Sequence, residues 1–310
     1  MYGFEEHIAA NKTKTFFVML GFTLFMAALG YMAGYFIEPT IANVLLAGCV
    51  VFAIFGTGLS YWMSDRIITA MVNARPADPT VYIEKYFIDT LEGLVLACGL
   101  PATPRAYVIQ SDALNAFATG RDPWHSLVCV TTGLLQKLDR QELEGVIAHE
   151  MSHVYNRDVL LMGVAAILVG GIAMFCHLLV RILFWGGGGG GRGSKRGEGG
   201  GGCGGPMILI ALVFIILAPI FANLLNLMLS RKREFLADAT AVQLTRNPEG
   251  LISALSKIAA SPGKMPFVES ELSALFIDHP QKADEEGNWF VRLFATHPPI
   301  PERIAALRAM

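Results

Sequence analysis

Four uninterrupted apolar stretches, residues 15–37, 41–62, 159–185 and 207–229, constrain this chain more than any other feature. A helix needs roughly 20 apolar residues to cross the hydrocarbon of a bilayer, and each stretch has that length. None contains an acidic residue. The only basic one, Arg181, lies near an end where its stem can reach the interface. One such stretch is well explained as a helix buried in a large soluble core; four together are not. Composition agrees: charged residues are 16% and hydrophobic ones 53% of the 310, against about 25% charged in ordinary soluble proteins. Mean hydropathy is +0.48. The first stretch does not read as a cleaved signal peptide, being too long, without a small-residue cleavage site, and closely followed by a second span.

Polar sequence fills residues 63–158, between the second and third spans, and residues 230–310, after the fourth. Four crossings place these pieces, and the N-terminal residues 1–14, on one side of the membrane, where the two longer pieces can form a single domain. Lys12, Lys14, Arg66, Arg75, Arg157, Arg231, Lys232 and Arg233 flank spans on that side, while the first loop, residues 38–40, carries no basic residue. The positive-inside rule makes that side cytoplasmic. Arg192, Lys195 and Arg196 in the loop of residues 186–205 vote the other way. They leave open a version in which the last two apolar segments form a hairpin that does not fully cross. That loop is nearly pure glycine and reads as a tether. A net charge of −2 offers no electrostatic reason for a nucleic-acid partner. Five scattered cysteines, at 49, 98, 129, 176 and 203, form no CxxC pair. They suggest neither a disulfide framework nor a thiolate metal site, so the polar domain is expected in a reducing compartment.

The chemistry-bearing motif is His149-Glu150-Met151-Ser152-His153. It lies on a helix that the sequence opens with a capping box, Asp139 at the N-cap and Glu142 at N3. Four-residue spacing puts both imidazoles on one helix face, where two nitrogens can bind one metal ion. Glu150 projects to the side and can reach a metal-bound water. Ser152 reads as a surface residue with no triad geometry. A catalytic zinc needs a third protein ligand and an open position. No third histidine stands six residues beyond His153, so the ligand comes from elsewhere. Glu234 and Asp238 share a helix face after the fourth span. From spacing alone they are as readily a solvated charge run as a ligand pair. Residues 105–110 and 127–131, rich in Val, Ile and Tyr, read as strands.

The HExxH before a span, RKREFLADATA after the next, Asn115-Ala116-Phe117-Ala118-Thr119-Gly120 upstream and Thr296-His297-Pro298-Pro299 near the end resemble the HtpX family of membrane zinc metalloproteases. These belong to the gluzincin branch and are relatives of the CAAX prenyl endopeptidases; the resemblance spans essentially the whole chain. It implies a mainly helical α+β protease domain with a small sheet, joined to four transmembrane helices. It also implies one Zn2+ held by His149, His153 and Glu234, with Glu150 as general base and Asp238 orienting a ligand histidine. By the same resemblance, Asn115, Ala116 and Phe117 belong to an edge strand that binds substrate, and His297 assists at the oxyanion. A turn role for Asn115 and a capping or packing role for His297 stay open beside these.

The expected activity is hydrolysis of peptide bonds in misfolded or damaged membrane proteins, in stress-related quality control at the bacterial inner membrane. The lipid bilayer and protein or peptide substrates are the expected partners, and a homo-oligomer is compatible with this reading. A CAAX-type prenyl-peptide endopeptidase is the runner-up, disfavoured because those relatives carry more spans. An intramembrane site-2-type protease is a weaker alternative, since HExxH here lies in a polar capped helix. A zinc-binding scaffold or transporter is opposed by the intact Glu150 and by spans with few polar residues.

Overall fold

The computed structural model describes residues 2–185, 231–261, 275–277 and 298–310. The chain forms two compact units. One comprises Met1–Thr15, Ser60–Ile167 and Asn226–Met310, and the other Phe16–Leu59 and Leu168–Leu225.

The second unit is built from apolar helix. Helices α1 (Tyr2–Ile37) and α2 (Ala42–Met71) are joined by a short turn at Pro39–Ile41. Their stretches Ala9–Met32 and Pro39–Met71 are long and apolar enough to cross a membrane. Glycine sets how closely they approach: a Cβ on Gly34 would lie 2.4 Å from Ala42 Cα, and one on Gly30 2.7 Å from Cys49 Sγ. This is the small-xxx-small device that lets helices without an aqueous driving force pack backbone to backbone. Phe17, Phe52 and Phe55 face outward, the pattern expected where the solvent is lipid. The third predicted span lies within α6 (Asp158–Trp185). The fourth, with the glycine-rich loop before it, lies outside the described residues.

The first unit packs helices against a small mixed sheet. Its strands are β1 (Arg75–Pro76), β2 (Arg105–Ile109), β3 (Ala116–Gly120) and β4 (Ser126–Thr131), in the order β1-β2-β4-β3. Strand β2 runs parallel to β4 (Tyr107 opposite Cys129), while β1 and β3 are antiparallel to their neighbours. The strands expected at 105–110 and 127–131 are β2 and β4. The two-residue β1 is too short to leave a period in the sequence.

Local signals set the helix ends. Helix α3 (Tyr82–Cys98) stops at Gly99, whose φ of 67° is the left-handed C-terminal conformation that glycine adopts freely. Thr131 caps α4 (Thr132–Lys137), its side chain accepting from the Leu134 amide. Asp139 and Glu142 close both halves of the predicted capping box at the start of α5 (Arg140–Tyr155). Helix α7 spans Arg231–Thr245, α8 Pro248–Ala260 and α9 Ile300–Arg308. Helix α5 is central, packed by α7, α8, α3 and the sheet. Gly145 allows the contact with α8, since a Cβ there would lie 2.9 Å from Leu251 N. After α5 the chain passes through Arg157, at φ 60°, and bends by 86° into α6.

Candidate metal centre

Helix α5 is surrounded by other elements, and its residues from Leu143 to Val154 are buried except Glu144. His149, Glu150 and His153 are therefore at most 4% exposed. Ser152, expected at the surface, is fully buried, and its hydroxyl donates to the Ala148 carbonyl at 2.8 Å. The expectation followed the helix's polar composition; enclosure by neighbours on nearly every side overrode it.

The two imidazoles meet edge to face, ring centres 4.9 Å apart at 87°. Helix α7 packs along α5 and brings Glu234 between them. His149 Nε2 lies 3.7 Å from Glu234 Oε2, and His153 Nε2 3.6 Å from Oε1. One donor atom from each of the three residues falls within 4.8 Å of the others. Zinc bonds of about 2.0–2.1 Å at tetrahedral angles separate ligand atoms by about 3.4 Å, so the three side chains stand close enough to converge on one zinc ion. Two neutral nitrogens and one carboxylate also suit zinc chemically and leave a fourth position open.

Each histidine is oriented from behind by a carboxylate. His149 Nδ1 lies 2.9 Å from Asp238 Oδ1. His153 Nδ1 faces Asp158 Oδ2 at 3.3 Å. A proton on each Nδ1 leaves the Nε2 lone pair for a metal. Asp238 is itself gripped by the buried Arg303 of α9, whose Nε donates to Oδ2 at 2.9 Å and Nη2 to Oδ1 at 2.6 Å. Nη2 also stands 3.3 Å from both ring nitrogens of His149, and Nη1 3.9 Å from Glu234 Oε2.

Burial and the Arg303 charge push His149 toward its neutral form, but Asp238 and Glu234 outweigh them and raise its pKa to about 9. Burial alone would raise Asp238; Arg303 and His149 bring it down to about 2. Glu150 is pushed up, chiefly by burial, although the neighbouring histidines pull the other way. An upward shift moves a carboxylate toward the range of a general base at neutral pH.

Helix α5 also packs on β3, the outer strand of the sheet. Asn115 stands just before it, with its side-chain oxygen accepting from the Ala116 amide at 3.1 Å. The Thr131 amide donates to the Asn115 carbonyl, so by antiparallel alternation Ala116 and Ala118 turn their backbone groups away from β4. The Ile277 amide donates to the Ala116 carbonyl at 3.0 Å, and Phe276 packs edge-on against Phe117 at 5.0 Å. His297 lies outside the described residues.

Asp158 and Arg303 stand outside the sequence motifs. Asp158 is the last residue of the polar stretch 63–158, directly before the third apolar run. Arg303 did leave a signal: with Ile300, Ile304 and Leu307 it shares the inward stripe of α9, and a cation in such a stripe needs a buried anion.

The match to the family model described as Peptidase family M48 covers residues 84–310. Among curated proteins, the "Protease HtpX homolog" of Listeria monocytogenes serovar 1/2a is 42% identical over 307 residues, 98% of this chain and 99% of that one. Those of Streptococcus pneumoniae and Thermoanaerobacter pseudethanolicus are 41% and 39% identical, each over 306 residues. They cover 98% and 97% of this chain, and 99% and 96% of the relative. The crystal structure of S. mikatae Ste24p aligns with 99% of this chain and 66% of its own, at 17% identity and a TM-score of 0.46. A buried HExxH helix, a carboxylate brought to it by a second helix and likeness over nearly the full length agree: this chain belongs to peptidase family M48.

Proposed function

We propose that this metallopeptidase is a zinc endopeptidase anchored in the bacterial cytoplasmic membrane, cutting peptide bonds in misfolded or damaged membrane proteins on the cytoplasmic side. The grouping of His149, His153 and Glu234 around one point, with Glu150 on the same buried helix, carries this reading. A zinc ion on those three side chains would supply Lewis acidity toward a water and a peptide carbonyl. Glu150 accepts the proton as water adds to the carbonyl and passes it to the departing amine. Asp238 and Asp158 hold the two imidazoles in the tautomer that keeps Nε2 available. Ala118, with its backbone directed away from β4, suits an extended peptide added to the edge of β3, Asn115 and Phe117 flanking it. His297 is assigned to the oxyanion. The buried Glu150, with its raised pKa, favours catalysis over a zinc-binding scaffold, which has no use for a base at that place.

Separating metal binding from catalysis tests the reading. Glu150→Gln should keep near-stoichiometric zinc while turnover of casein falls by about 2–4 orders of magnitude. Glu234→Gln should lose zinc affinity and activity together. Wild-type cleavage by Glu150→Gln sinks the base assignment; wild-type zinc affinity in Glu234→Gln moves the third ligand elsewhere.

A further inference from the structure

Asn11 lies near the start of α1, ahead of the first apolar run, in the short polar stretch Asn11-Lys12-Thr13-Lys14. Unlike the two lysines after it, it is buried. An asparagine inside a helix is less favourable than alanine or leucine, and a buried carboxamide without partners is costly. Both costs are met by what the side chain touches. Its Nδ2 donates to Asp158 Oδ1 at 2.7 Å and to the Asn156 carbonyl at 3.2 Å. These two acceptors sit at the bend between α5 and α6, on either side of the left-handed Arg157.

Asp158 is 1% exposed, and its two oxygens are divided between tasks. Oδ1 receives Asn11 and, at 3.5 Å, Arg233 Nη1; Oδ2 faces His153 Nδ1. A carboxylate held only by its imidazole partner can turn about its own axis. A donor fixed on Oδ1 stops that turn and keeps Oδ2 on the ring. The residues that do this come from one compact unit, which takes in Met1–Thr15 together with the metal-centre helices.

We propose that Asn11 is a positioning residue of the metal centre, its carboxamide locking Asp158 so that His153 presents Nε2 to the metal. The proposal rests on the assignment of His149, His153 and Glu234 as ligands. It makes the segment before the first apolar run part of the catalytic unit rather than a leader to a membrane helix. It also gives a reason for asparagine: leucine of similar size removes the donor, and aspartate places a second negative charge against Asp158.

The test uses the full-length protein in detergent, with zinc affinity measured by chelator competition and the cobalt-substituted protein by visible absorption. Asn11→Leu should weaken zinc binding about tenfold, the lower end of the effect of residues behind a metal ligand, and should alter the cobalt spectrum. Asn11→Gln, which keeps the amide, should recover part of both. Asp158→Asn should weaken binding at least as much, and adding Asn11→Leu to it should cost nothing further, because both act through one contact. If Asn11→Leu does not fold, Asn11→Ser takes its place in the same cycle. A merely structural role predicts a lower melting temperature with zinc affinity within about twofold of wild type and an unchanged cobalt spectrum. That result, or additive losses in the double variant, overturns the proposal. Glu234→Gln separates the two levels. If it too keeps wild-type zinc affinity, the ligand reading falls and the proposal with it. If it loses zinc while Asn11→Leu does not, only the Asn11 assignment falls.

Discussion

Arg303 has the largest side chain among the fully buried described residues, and Asp238 is the reason it can be there. A guanidinium and a carboxylate joined by two hydrogen bonds lose their hydration together and return most of the cost to each other. Removing one partner strands the other. Arg303→Met should therefore destabilise the protein by about 3–5 kcal/mol, the usual cost of an uncompensated buried charge, read from chemical or thermal unfolding. Arg303→Lys should recover only part of it, because an ammonium cannot span both oxygens. A methionine variant as stable as wild type would mean that the pair contributes nothing. The stripe of α9 that contains Arg303 announces that an anion is needed, but nothing near it in the sequence says that the anion is Asp238, 65 positions earlier. His149 and His153 differ in this respect. Their shared face follows from a four-residue interval that any helix converts into adjacency.

Helix α5 carries His149, Glu150 and His153, and its start is as tightly specified as its middle. Glu142 closes the capping box and also meets Lys257 at 2.7 Å and Ser253 at 2.6 Å on α8. Burial would raise its pKa, yet Lys257, Ser253 and the Asp139 amide together lower it. A carboxyl depressed in the folded state stabilises the protein above its unfolded pKa, and that contribution is lost as pH falls through the folded value. Glu142→Gln should thus cost about 1.5–3 kcal/mol at pH 7, the scale of a hydrogen bond to a charged group. The difference from wild type should shrink as pH falls below about 4, as urea unfolding at several pH values would show. A difference independent of pH would assign the cost to packing. The capping box was legible because it is written within four residues. The burial of α5 on nearly every side was not, because it depends on α7 and α8, elements that follow in the chain at a distance.

For the whole molecule, Met1–Thr15 and Asn226–Met310 belong to one compact unit, and the proposed topology puts both on one side of the membrane. The basic residues at the ends of the apolar runs favour the cytoplasm as that side. A fluorescent reporter after Met310 should report from the cytoplasm, and a cysteine introduced at Glu302, an exposed position on α9, should resist an impermeant reagent in intact cells. Labelling from outside would reverse the orientation and, with it, the substrate assignment.

What the sequence determined by itself are properties carried by near neighbours. Apolar runs longer than a bilayer is thick make membrane helices, a four-residue interval aligns two histidines, and a capping box starts the helix that bears them. Each is a statement about a few consecutive turns, so no other part of the chain is needed to read it. Tertiary structure alone decided which carboxylates and donors surround those histidines. Asn11 meets Asp158 across 147 positions, and Arg303 meets His149 across 154. Contacts so distant have no period or motif, because the pairing is chosen when α7 packs on α5, α9 packs on α7 and α8, and Asn11 reaches the bend after α5. Among the acidic residues of the chain, packing selects those left without water, and these need donors such as Asn11 and Arg303 within reach.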